Sequence, residues 1–421
     1  MAKESFRFIH ASDFHLERPM QDIFDLPEHL RQSLVDAPWK AAEAVFEAAV
    51  LENVDFVVLA GDLLNLTASG AQGAAFLLEQ FEMLRQRGIE VYWAGGDVDD
   101  PDRWPEAVAL PNNVHVFSRN QVESFVFRRN QVPLATILGR SSDGSENVRA
   151  AEFAHEPDEN YVVAVAYGAA DSETLRSERV DYWALGGRHQ ADILQTEEPI
   201  IRYCGAPQAR ELKEEGAHGF VLVDVDAQRC IQVHSMDADL FRYSEQDIDA
   251  DDMALGRDVR QLFSKRIARL QSEAGGRHLL VKWRLQMDLE NAAMVGPSAL
   301  EELLSWLRRE FGHGTPACWS TDMEVLPPKE LPSKWKDEDT ILGDFLRISS
   351  EERKKGKPLN LKPIVDAETP GSSLWHEMLT SSGAQSQDAT LERSTLLGVD
   401  LLRGHQVDLV ASTRRFGGAE K

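Results

Sequence analysis

The chain has 421 residues, long enough for two or three domains with at least one sizeable core. Its formal charge of −25 argues against a general basic DNA-coating protein, although a groove on an acidic body can still be locally basic. No run reaches the length of a membrane span. Strand-like sequence begins within a few residues of Met1, which leaves no room for a signal peptide, and Cys204, Cys230 and Cys318 are too scattered for a zinc ribbon. The cysteines read as reduced packing residues and the chain as a cytoplasmic protein without a membrane segment.

Residues 1 to about 245 alternate between strand and helix patterns. Phe6–Ala11 and Val54–Ala60 read as buried strands. Pro38–Leu51 carries Trp39, Ala42, Val45, Phe46 and Ala49 at helical spacing, and Ala74–Arg87 does the same, with Gly88 placed to end the helix. A third strand, Ile89–Ala94, runs into Gly95-Gly96-Asp97. Further strands are expected at Val114–Phe117, Leu134–Leu138, Tyr161–Tyr167, Tyr182–Leu185, Ile200–Tyr203, Gly219–Val225 and Cys230–His234. Two packed sheets flanked by helices, a layered α/β sandwich, follow from this order.

A second unit is expected over residues 250–326: helix Arg257–Glu273, strand Leu279–Met287, helix Ser298–Phe311 and strand Asp322–Leu326. From Pro327 to residue 421 the sequence reads as linker and short amphipathic helices, at Thr340–Glu351, Leu374–Thr380 and Thr390–Arg403. Such helices either dock on a partner or pack on their own domain. The basic run Arg353-Lys354-Lys355-Gly356-Lys357 reads as a solvated linker, with nucleic-acid contact as the alternative. No aromatic residues are interleaved there for base stacking.

Two strands stop at potential metal ligands. Phe8-Ile9-His10-Ala11-Ser12-Asp13-Phe14-His15 ends in Asp-x-His, and Phe56-Val57-Val58-Leu59-Ala60-Gly61-Asp62 ends in Gly-Asp. A strand-end aspartate alone is an ordinary loop cap. Carboxylate and imidazole gathered at one sheet edge suit Mn, Fe or Zn. His10 reads as a buried packing residue, and His155 and His218 as structural.

These motifs, with Val91-Tyr92-Trp93-Ala94-Gly95-Gly96-Asp97-Val98-Asp99, resemble the first three motifs of calcineurin-like metallophosphoesterases. The segment Pro207-Gln208-Ala209-Arg210 followed by Glu214-Glu215-Gly216 is similar to the one closing the catalytic domain in the SbcD/YhaO-type DNA repair exonuclease branch. The resemblance covers roughly residues 1–245 well and 250–326 loosely. It implies a layered α/β/β/α metallophosphoesterase sandwich with a small α/β capping domain and a helical C-terminal tail. It also implies Mn²⁺ or another divalent cofactor, DNA as substrate, a coiled-coil ATPase of the SbcC/YhaN type as partner, and a homodimer.

Carried over by motif, the first metal would take Asp13, His15, Asp62 and His189, the last from Gly186-Gly187-Arg188-His189. The second metal would share Asp62. Its other positions read Asp97, Tyr167 and Gly187, of which Asp97 offers oxygen, Tyr167 is a poor ligand and Gly187 offers nothing. The position of the family's catalytic histidine is Val98. Loss of a general acid costs about 10²–10⁴-fold. Arg188 either supplies a phosphate-binding charge in compensation or pairs with Asp97, Asp99 or Asp100. Two functions follow from the resemblance: a metal-dependent phosphodiester hydrolase with reduced or altered activity, in which Asp62, Asp97 and Arg188 take part, or an inactive scaffold subunit that holds DNA or the ATPase.

Overall fold

The computed structural model describes residues 4–23, 25–105, 108–156, 159–250, 259–287, 297–326 and 333–355, with 391, 394–395, 397–399 and 401–402. The first sheet contains β1 (Phe6–Ala11), β2 (Phe56–Ala60), β3 (Glu90–Ala94) and β4 (Val114–Val116). β1, β2 and β3 are apolar runs buried almost throughout, the signature of central parallel strands. Pairing is parallel from β1 through β4, with Phe8 opposite Phe56 and Phe56 opposite Glu90.

The second sheet contains β5 (Glu123–Arg129), β6 (Val132–Gly139), β7 (Tyr161–Tyr167), β8 (Tyr182–Gly186), β9 (Asp192–Gln195) and β10 (Ile200–Tyr203). Its order is β5-β6-β7-β8-β10-β9, parallel from β6 through β7 and β8 to β10. β11 (Gly219–Val225) and β12 (Ile231–Asp237) complete the first sheet, in the order β12-β11-β1-β2-β3-β4. A third sheet has three strands, β13 (Phe241–Asp249), β14 (His278–Gln286) and β15 (Cys318–Leu326).

The two large sheets pack face to face through Phe8, Phe56, Val58, Tyr92, Ile137, Val163 and Tyr182. Phe8 and Phe56 stack at 5.0 Å between ring centroids. The outer face of the first sheet is covered by α1 (Glu28–Leu51) and α2 (Leu66–Gln86), through Val45, Phe46, Leu77 and Phe81. On the outer face of the second sheet lie Ala150, Phe153 and Leu175, from two short helical turns. The layers are those of an α/β/β/α sandwich.

His10 links the two sheets. It lies in β1, with Nδ1 3.1 Å from the Tyr182 hydroxyl and Nε2 3.2 Å from the Leu185 carbonyl, both on β8. Burial, then the Arg202 charge, lowers its pKa from 6.5 to about 3. The unfolded chain therefore takes up a proton below pH 6.5 that the folded chain refuses. Stability is expected to fall by about 1.4 kcal/mol per pH unit from this one group as pH drops from 6.5 toward 3. In urea unfolding at pH 7 and pH 5, His10→Gln should lose that part of the acid sensitivity. An unchanged slope would remove His10 as its source.

Several elements differ from the sequence reading. α1 starts at Glu28, ten residues before Pro38, and keeps the proline inside it. The missing N–H costs a helical bond, but the added turns bury Leu30 and Ala37 against Phe241, Tyr243 and Leu280. α2 begins at Leu66, where Asn65 accepts from the Thr67 and Ala68 N–H groups, and bends at Gly70. β5, β9 and β13 were not anticipated. Cys204 and Cys318 are buried, but Cys230 is exposed. Arg353, Lys354 and Lys355 end a helix, Ile341–Lys355, rather than forming a linker. Lys355 Nζ lies 2.6 Å from Glu352. The expected helix Leu374–Thr380, six of the fourteen residues of Thr390–Arg403 and Lys357 lie outside the described residues.

The chain divides into two compact units. One comprises residues 1–244, 270–281 and 314–321, and the other residues 245–269, 282–313 and 322–421. In the second unit, Phe263 packs edge-on against Trp283 at 4.9 Å, and Trp335, Leu346 and Val399 form a small cluster. Among the described residues, no helix is long and apolar enough to cross a membrane.

Candidate metal centre

Five loops leave the carboxyl ends of β1, β2, β3, β7 and β8 at one edge of the sandwich, where open α/β sheets place their ligands. Backbone bonds tie the first two together: Asp13 N–H donates to the Gly61 carbonyl at 2.9 Å, and His15 N–H to the Asp62 carbonyl at 3.0 Å. Asp13, His15 and Asp62 all hold positive φ, at 57°, 41° and 56°. Non-glycine residues adopt this region at a cost, and a concentration of them marks a site whose geometry the surroundings enforce. Gly186 lets the two sheets meet here, since a Cβ on it would lie 1.7 Å from the Ala60 carbonyl oxygen.

Asp13, His15 and His189 each present a ligand atom within 4.8 Å of the others. Asp62 borders them, with Oδ2 3.4 Å from His15 Nε2. The Nε2 atoms of His15 and His189 face each other at 3.1 Å. Their other nitrogens meet carboxylates: His15 Nδ1 lies 3.2 Å from Glu17, and His189 Nδ1 lies 2.5 Å from Glu214. A carboxylate at Nδ1 keeps the proton there and leaves the Nε2 lone pair free. Two lone pairs at 3.1 Å repel unless a cation sits against them. One carboxylate, two oriented imidazoles and a neighbouring aspartate fit a divalent ion of intermediate hardness.

The electrostatics agree. Burial, reinforced by the Asp62 charge and opposed by the Ser12 hydroxyl, raises Asp13 to about 6. The hydrogen bond to Glu214 raises His189 above its ordinary value. Burial works to raise Glu214, but bonds from His189 and the Arg210 N–H outweigh it and hold the carboxyl below its usual range. Glu17 follows the same balance, with bonds from His15 and the Asn65 N–H overcoming burial. A site this rich in carboxylates repels an anionic substrate until a cation is bound.

The remaining predicted residues stand differently. Asp97 is exposed and lies outside the three-residue cluster; it accepts from the Ser142 hydroxyl at 2.8 Å. Arg188 pairs with Asp192, not with Asp97, Asp99 or Asp100, and its guanidinium lies 4.4 Å from the centre of the Tyr203 ring. Asp99 is buried beneath the site and accepts from the N–H groups of Asp62, Leu63 and Gly96 and the Trp93 indole, at 2.6–3.1 Å. Those bonds make it a brace for the Asp62 loop. Asp100 pairs with Arg119 at 2.6 Å. Val98 contributes its N–H to Asp62 Oδ1 at 3.0 Å. The Tyr167 hydroxyl donates to Asp62 Oδ2 at 2.7 Å. Burial, then the Asp62 charge, pushes its pKa well above the ordinary phenol value.

Sequence reasoning gave no role to Glu17, Glu214 or Arg210. Arg210 is fully buried and donates to the carbonyls of Gln208 at 2.7 Å and of Phe14, fixing the backbone that carries His15. Its N–H donates to Glu214 at 2.5 Å. The Gln-x-Arg…Glu segment thus builds the support behind both imidazoles. Its spacing was visible, but nothing in it said which loop it would meet. His218 is buried between the carbonyls of Ala206 and Glu214, a structural position.

Residues 6–211 match the calcineurin-like phosphoesterase family. The chain is also similar to the uncharacterized metallophosphoesterase YhaO of Bacillus subtilis (strain 168), at 34% identity over 239 residues. That similarity spans 52% of this chain and 57% of the relative, little more than half of either.

Proposed function

Residues 6–211 belong to the calcineurin-like metallophosphoesterase family, and from that premise we propose that the chain is a divalent-metal-dependent phosphodiester hydrolase acting on DNA. The observation that carries this reading is the pair of opposed Nε2 atoms of His15 and His189, each backed by a carboxylate. Asp13, His15, Asp62 and His189 would hold the ion, with Mn²⁺ the expected metal. A bound divalent ion supplies Lewis acidity, drawing charge from a phosphoryl oxygen and making water a stronger nucleophile at neutral pH.

The chain's own groups set the rest. Glu17 and Glu214 keep the imidazoles turned inward, and Asp99 holds the Asp62 loop. In hydrolysis the water oxygen bonds to phosphorus as the ester P–O bond breaks; water loses a proton and the departing oxygen gains one. Val98 has no proton to give, so the departing oxygen takes its proton from solvent. Esters with good leaving groups should therefore be strongly favoured. A 4-nitrophenyl phosphodiester is expected to outpace an alkyl diester by a factor that shrinks about 10²–10⁴-fold in Val98→His, if the imidazole restores general-acid catalysis. An unchanged leaving-group dependence in a folded variant would show that protonation does not limit the reaction.

The second reading, a scaffold that binds DNA or a coiled-coil ATPase without cutting, is favoured by that same absence at Val98. Mn²⁺-dependent hydrolysis of single- and double-stranded DNA, beside Asp62→Ala, separates the two. Cutting by the wild type alone supports the enzyme. No cutting by either, with the ATPase present as well as absent, supports the scaffold. The ATPase partner, dimerisation and a cytoplasmic location belong to the same proposal.

A further inference from the structure

Tyr167 ends β7 with its ring over a floor without side chains. A Cβ placed on Gly61 would lie 2.7 Å from its Cδ2, one on Gly96 2.8 Å from its Cε2, and one on Gly187 3.3 Å from its Cε2 and Cζ. Gly187 also has φ +98°, so a larger residue there would be strained before it met the ring. From this slot the hydroxyl reaches Asp62 Oδ2 at 2.7 Å, while Val98 N–H takes Oδ1 at 3.0 Å.

Both Asp62 oxygens are thus supplied with a hydrogen-bond donor. A second cation sharing Asp62 would have to displace the Tyr167 proton and the ring with it. Asp97 is the nearby carboxylate left to help it, and that side chain is already bonded to Ser142. We infer that Tyr167 and Gly187 work as a pair that closes the second cation position, the phenol proton standing where a metal's charge would otherwise meet Asp62, so that the cleft holds one metal ion per chain. Tyr167 is a positioning residue in this account, because it acts through Asp62.

The inference rests on the metal-site reading above, and metal counting distinguishes their failures. The purified full chain would be dialysed against Mn²⁺ and its bound metal measured by inductively coupled plasma mass spectrometry, with electron paramagnetic resonance on the same samples. One ion per wild-type chain, with the spectrum of an isolated Mn²⁺, is expected. Tyr167→His, which empties the slot and offers a ligand, is expected to move the count toward two and to produce a spin-coupled spectrum. Two ions in the wild type would overturn the inference and leave the metal site standing. Zero would overturn both. A count fixed at one in a Tyr167→His chain shown to be folded by circular dichroism would also overturn it. The wild-type count decides the matter alone if that variant does not fold.

Discussion

Glu214→Ala is expected to weaken divalent-metal binding by about 10–100-fold, although Glu214 is not among the residues that would touch the ion. Its two oxygens do separate jobs: one meets His189 Nδ1 at 2.5 Å and the other accepts from the buried Arg210 N–H at 2.5 Å. Alanine frees the imidazole to rotate and lets its proton move to Nε2, where it competes with the metal. Titration calorimetry with Mn²⁺ would read the change. Glu214→Gln separates the two jobs. Its amide oxygen can still accept from one of these donors, so the fold should survive, while metal affinity still drops because the carboxylate charge behind His189 is gone. An affinity equal to wild type in a folded Glu214→Ala chain would mean that His189 is oriented by something else.

Arg210→Met is expected to cost about 3 kcal/mol of stability, because it leaves buried carbonyls of Phe14 and Gln208 without a donor. Burial lowers the Arg210 pKa to about 10, so the group remains charged at neutral pH. Lysine should rescue little of the loss, since a single ammonium on a flexible stem does not reproduce the planar fork. Urea unfolding measures the cost, and metal titration on the folded fraction reads the effect on His15, whose carbonyl also lies 3.5 Å from the guanidinium. A loss below about 0.5 kcal/mol, the scale of an ordinary surface change, would contradict the bracing role.

What could be read from the sequence follows from how locally each feature is determined. β1 and β2 are continuous apolar runs that stop at Asp13 and Asp62, and a run that stops at a carboxylate is visible without knowing its neighbours. β5 was missed because Glu123–Arg129 alternates exposed and partly buried residues and closes on two arginines, so its identity as an edge strand comes from pairing with β6. The start of α1 was misplaced because Pro38 looks like a first-turn residue, whereas Leu30 finds its burial among residues some two hundred positions away. At the site, Asp13, His15 and His189 each bring a ligand atom within 4.8 Å of the others. Arg188 pairs with Asp192, four residues on at the start of β9, rather than with Asp97, Asp99 or Asp100, the partners that the sequence offers beside phosphate binding. Glu17 and Glu214 were invisible as functional groups because a carboxylate behind an imidazole has no signature until the chain brings them together.

The most direct measurement of the central claim is hydrolysis of bis(4-nitrophenyl) phosphate by the purified, metal-stripped chain as Mn²⁺ is added back. The account predicts no turnover without metal, a rise that levels off at about one equivalent of tightly bound ion, and no response in Asp13→Asn or His189→Ala. Turnover that persists in metal-stripped protein, or that is the same in those variants as in wild type, would contradict it.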